Sequence, residues 1–177
     1  MNNSLIRALA VAGLCATGML TLPALSADAP PKGDQTFMTK AAGGGMYEVE
    51  VSKMAASKAR NADVKAYAEM LVKDHTAAND ELKQLASSKG VTLPSDMPAD
   101  KKAKMDKLSK SKDIDRDFIK QVGLDDHKTE IAMFEKASKD AKDADVKGFF
   151  SKTLPKLKDH RAEAEKLNSG GKMSMKH

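Results

Sequence analysis

Three of the four histidines in this 177-residue chain directly follow an aspartate: Asp74-His75, Asp126-His127 and Asp159-His160. Imidazole is both a proton carrier near neutral pH and a common metal ligand. With carboxylates nearby, the pattern points to metal binding or to acid–base chemistry. Two glutamates belong with them. Counted at 100° per residue from Phe37, Glu48 falls at about 20°, in the middle of an apolar stripe. His75 falls at about 20° counted from Val64, and Glu130 at about 20° with His127 at about 80° counted from Ile119. His160 lies at about 320° counted from Val146. Glu48, His75, His127, Glu130 and His160 are therefore the candidate metal ligands.

The elements that must position them are helices. Alanine, lysine, methionine and aspartate dominate, Trp is absent, and aromatic residues make up only 4% of the chain. Such a composition favours helix over strand and disfavours sugar or single-stranded nucleic-acid platforms. Helical periodicity predicts segments at about 34–58, 63–89, 113–142 and 145–168. Asp34, Asn61 or Asp63, Asp113, and Asp143 or Asp145 are the expected N-caps, and Gly90 the stop of the second helix. Residues 90–112, with Pro94 and Pro98, are long enough to cross the full height of a bundle. At ~1.5 Å per residue all five candidate ligands lie roughly 18–26 Å along helices about 40 Å long, in one middle layer. The fold expected is an all-α, ferritin-like four-helix bundle over 34–168, with residues 28–33 as a linker and 169–177 as a flexible tail.

An internal echo supports two related hairpins. Ala62-Asp63-Val64-Lys65 recurs as Ala144-Asp145-Val146-Lys147, and Lys73-Asp74-His75 as Lys158-Asp159-His160.

Residues 1–27 read as a secretory leader: Arg7, an apolar run, then small residues ending at Ala27. The run is too short for a membrane-spanning helix. Its removal takes Arg7 and the single cysteine, Cys15, leaving 29 basic against 25 acidic residues. The mature chain then has no transmembrane helix and no thiolate ligand or nucleophile, and periplasm is the expected location. Leu14 before Cys15 disfavours a lipoprotein anchor.

A buried ionised carboxylate costs several kcal/mol unless paired, so Glu48 and Glu130 require partners in the middle layer. A divalent or redox ion (iron, zinc, copper, manganese or nickel) satisfies that need. A hydrogen-bonded polar layer with no metal, fixing bundle register, satisfies it too. The two readings, a metal centre and a structural or interaction module, stay open at this level, and a metal-dependent enzyme is a third with no visible substrate pocket. Within the first helix, Gly43-Gly44-Gly45 is read as a site of close helix packing, and Pro155 as a bend before His160. Lys101, Lys102, Lys104, Lys107, Lys110 and Lys112 form a basic run in the crossover. The run is read as a solvated face, with an anionic envelope surface as its functional partner and no nucleic acid. The methionine- and histidine-bearing end, 172–177, is read as frayed.

Phe37…Ala41…Glu48, Val64-Lys65…Asp74-His75, Gly90-Val91-Thr92-Leu93-Pro94, Asp126-His127…Phe134-Glu135 and Thr153-Leu154-Pro155…His160 together resemble an exported bacterial family, domain of unknown function 4142. The resemblance spans about 34–167. It implies a ferritin-like bundle in the cell envelope and supplies no established activity. The pattern departs from di-iron ferritin-like proteins, which carry Glu-x-x-His on two helices. Here Val72, Leu124 and Leu157 stand three residues before the histidines, so a single-metal or non-iron site fits better.

Overall fold

The structure, a computed structural model, describes residues 29–170. The expected leader with Cys15 and the chain end 172–177 lie outside the described residues. The described residues form six α-helical segments and one π-helical segment: α1 Lys32–Lys58, α2 Ala62–Ser88, α3 Ala99–Ser109, α4 Ile114–Phe118, a π segment Ile119–Asp126, α5 His127–Asp140 and α6 Ala144–Asn168. Among the described residues there is no strand, and no helix is long and apolar enough to cross a membrane. The fold is an all-α bundle. α1 packs on α2 and α5 on α6 as two hairpins, and α4, the π segment and α5 run on as one long third helix. The crossover carries a helix of its own, α3.

Local chemistry sets the helix ends. Asn61 Oδ1 accepts the N–H groups of Asp63 (2.8 Å) and Val64 (3.3 Å), and Asp143 Oδ1 does the same for Asp145 (2.9 Å) and Val146 (3.1 Å). Asp113 caps α4 through the Arg116 N–H. Gly90 takes φ 64° after α2, the left-handed turn that glycine adopts without strain. Asp34 departs from expectation. α1 begins at Lys32, and Asp34 lies inside it, where it is buried. Its Oδ2 accepts the Lys142 and Asp143 N–H groups at 2.9 and 2.8 Å, closing the turn of the other hairpin. Asp115, at the start of α4, returns the arrangement: its carboxylate accepts the Arg60 and Asn61 N–H groups at the α1–α2 turn.

The core divides in two. One cluster gathers Met38, Leu82, Phe134, Phe149, Phe150 and Leu157, and the other Val51, Tyr67, Leu71, Phe118, Val122 and Ala164. Along α2, α5 and α6 the histidines fall between these clusters, at the bundle's middle. The glycine run does pack closely: a Cβ on Gly45 would stand 1.9 Å from Asn79 Oδ1, and one on Gly43 2.9 Å from Pro98 Cγ. α6 continues through Pro155 without ending. The crossover lysines are not uniformly solvated. Lys104 and Lys101 reach inward to the buried Asp126, and Lys102 pairs with Asp96 at 2.5 Å.

Candidate metal centre

α2, α5 and α6 each bring one imidazole to the middle layer. His127 is fully buried, His160 is 2% exposed and His75 4%. Their ring centroids form a near-equilateral triangle, 5.3 Å from His75 to His160, 5.3 Å from His127 to His160 and 5.5 Å from His75 to His127. One ring nitrogen of each lies within 4.8 Å of the other two.

The hydrogen-bond partners assign the protons. His127 Nδ1 lies 2.8 Å from the Val122 carbonyl, which can only accept, so Nδ1 carries the hydrogen and Nε2 a lone pair. His160 Nε2 lies 3.0 Å from Asp74 Oδ2. The bond to His160, with Lys156 nearby, holds the Asp74 carboxyl below its ordinary pKa despite some burial. Asp74 therefore accepts from Nε2–H, and His160 Nδ1 is left with a lone pair. These two lone-pair nitrogens, His127 Nε2 and His160 Nδ1, face each other at 3.2 Å. Two acceptors at that distance require a proton or a cation between them. His75 Nε2, also buried, has no hydrogen-bond partner. Burial pushes His75 well below its ordinary pKa, with His127 and His160 adding to the shift, and His127 to about 4, with His160 adding. A neutral imidazole held by a hydrogen bond behind it, as His127 is by the Val122 carbonyl, is the form in which histidine binds metals.

The π segment explains how His127 reaches its place. The Val122 carbonyl accepts both the His127 backbone N–H and its Nδ1–H. Eight residues in i→i+5 pattern turn less per residue than an α-helix, so the wheel drawn at 100° per residue loses phase. It placed Glu130 deeper than His127, whereas His127 is fully buried and Glu130 half-buried. Gly123 sits in the segment because a Cβ there would stand 2.6 Å from Ala164 Cβ and 3.2 Å from the Tyr67 hydroxyl. Tyr67 donates to the His160 carbonyl at 3.1 Å, holding α6 at the site.

Glu48 and Glu130 fall outside the imidazole cluster and form a carboxylate pair beside it. Glu48 is 2% exposed, and Oε2 of each glutamate is buried without a partner. Burial, reinforced by Glu130 and Asp126, pushes Glu48 well above the carboxylate range; burial raises Glu130 to about 7. Glu130 also lines a cavity of about 30 Å³ with His75 and His160, room for one ion or water. Of the three aspartates preceding histidines, Asp74 does orient an imidazole, but that of α6. Asp126 instead accepts from the Tyr47 hydroxyl (3.1 Å) and from Lys104, and Asp159 is exposed. Neither the π segment nor the roles of Tyr67 and Asp126 were legible from periodicity; a glycine in mid-helix, Gly123, was the one available signal.

The model of a family described as a domain of unknown function (DUF4142) matches residues 20–167. A search of the curated proteins finds no match. Among solved structures, CopM in the Cu(I)-bound form aligns with a TM-score of 0.66 at 16% identity, covering 77% of this chain and 96% of that one. The Ag-bound form gives 0.65 at 17% identity, covering 77% and 95%, and the Cu(II)-bound form 0.67 at 17%, covering 77% and 96%. At that identity the likeness is one of fold.

Proposed function

The chain belongs to the DUF4142 family, and we propose that it binds a single transition-metal ion between His75, His127 and His160, with copper the first candidate. The observation that carries this reading is the pair of facing lone pairs, His127 Nε2 and His160 Nδ1 at 3.2 Å, beside the unpartnered His75 Nε2. An ion there accepts all three lone pairs at once. Glu130, which lines the small cavity with His75 and His160, is the carboxylate proposed for a fourth position, since Asp74 is engaged with the far nitrogen of His160. Three imidazoles suit copper and zinc better than magnesium or calcium, and divalent affinities peak at Cu(II). The copper- and silver-bound forms of CopM, a protein of similar fold, support testing copper first. With the leader read from residues 1–27, the role proposed is metal holding in the periplasm, in envelope metal homeostasis or the response to metal and oxidative stress.

The test is anaerobic titration of the mature chain with Cu(I), Cu(II), Zn(II), Fe(II) and Mn(II), beside a chain lacking residues 170–177. One equivalent is expected to bind with and without the chain end, and His75→Ala, His127→Ala and His160→Ala each to abolish it. Binding that survives all three substitutions rejects the site. No binding of any ion leaves a shared proton between His127 and His160, and the bundle becomes a structural or interaction module of the envelope.

A further inference from the structure

The three imidazoles are closed to solvent, so an ion that reaches them must cross a wall. Two hollows meet at one such wall. The inner is the cavity of about 30 Å³ lined by His75, His160 and Glu130. The outer is a surface recess of about 140 Å³ between α2 and α6, bordered by Met70, Asp159 and Glu163. The residues common to both are Asp74, Lys156 and His160. They are joined in a row: Asp74 Oδ2 takes the His160 Nε2–H at 3.0 Å and lies 3.4 Å from Lys156 Nζ. A ligand of the proposed centre is thus itself part of the wall, and the cation resting beside it is a lysine.

Resting on the metal-centre reading, the geometry points to the α2–α6 recess as the path by which the ion enters and leaves, with the Lys156–Asp74 ion pair as its gate. The chemistry is competition for one carboxylate. An arriving cation displaces the Lys156 ammonium from Asp74, then passes to the imidazole lone pairs behind. Lys156 is able to yield: its side chain is 56% exposed, on a flexible stem. Asp74 stays, because it orients His160. The recess offers one intermediate ligand for a soft ion, the Met70 thioether, with the Asp159 carboxylate beside it to draw a cation in. A larger groove of about 540 Å³, between α1, α2 and the crossover, shares only Asn79 with the inner cavity. Asn79 is wedged against Gly45 there, and that wall contains no ligand of the centre.

Stopped-flow exchange of Cu(I) between its bicinchoninate complex and the mature protein tests the path. Lys156→Leu is expected to speed uptake and release alike, by about five-fold, while equilibrium affinity stays within about two-fold, the scale of one partly exposed ion pair. Lys166 borders the same recess, paired to Glu163 at 3.0 Å, but is not part of the wall. Lys166→Leu and Asn79→Ala should leave both rates as in wild type. Unchanged rates in Lys156→Leu overturn the gate. Equal acceleration by Lys166→Leu overturns it too, reducing the effect to charge steering. Acceleration by Asn79→Ala instead moves the path to the opposite face. A wild-type protein that holds no Cu(I) at equilibrium overturns the metal centre itself, a result read before any rate is measured.

Discussion

At the scale of single residues the site is a contest between groups whose titrations pull stability in opposite directions. His75 and His127 resist protonation in the fold, whereas in the unfolded chain they titrate near ~6.5. Below that pH the unfolded state takes up protons that the folded state refuses. The metal-free protein therefore loses this part of its stability as pH falls from about 6.5 toward about 4. Glu130 has the reverse sign. Its folded pKa of about 7 lies above the ordinary 4.5, so its contribution is lost as pH rises through that window. Glu130→Gln separates the two: with chelator present it should melt higher than wild type at pH 8, by about 1–3 kcal/mol, and alongside it at pH 4. Urea melts at both pH values check this. Because burial keeps His75 and His127 neutral in moderate acid, one equivalent of Cu(I) should remain bound at pH 5.5, where exposed histidines are protonated; loss there would show ordinary, accessible imidazoles. All three histidines were legible in the sequence, since a polar residue on an apolar stripe stands out. Their hydrogen-bond order was not, because Asp74 meets a histidine on another helix, 86 positions away.

At the scale of elements, four long helical stretches follow from apolar spacing and from Asn61, Asp113 and Asp143 as caps. Periodicity presumes one turn geometry, so it carried no warning of the π segment. That segment depends on Gly123, whose missing side chain lets the third helix approach Ala164 and Tyr67. Neither Ala164 nor Tyr67 can swing aside as a long side chain would. Gly123→Ala should therefore cost about 1–3 kcal/mol and weaken metal binding as well, by moving Val122 and His127. A Gly123→Ala protein with unchanged metal affinity would uncouple the segment from the site. The crossover illustrates a second limit. A lysine run reads as solvated when each residue is taken by its own helix face, yet Lys104 and Lys101 reach a buried carboxylate contributed by a distant segment. Long-range pairing of this kind has no local signature.

At the scale of the molecule, two apolar clusters clamp a polar layer, and a ligand there ties three of the four long helices together. Cu(I) at about one hundred times its Kd should stabilise the fold by about 2.7 kcal/mol. The gain is expected in the full mature chain and in one lacking residues 170–177, and not in His160→Ala; thermal melts with and without metal compare them. The echo between the two halves of the sequence has a counterpart in the turns. The carboxylate that closes the turn at 142–143 rides on Asp34, and the one that closes the turn at 60–61 rides on Asp115. Each half thus finishes the other. A chain emerging N-terminus first can wind its first two helices, but the exposed Arg60 and Asn61 amides at their junction bond water until Asp115 arrives. Meanwhile Asp34 waits for amides that come later still. Both turns are thus completed only when the two halves have docked, and neither half alone holds the carboxylate that closes its own turn.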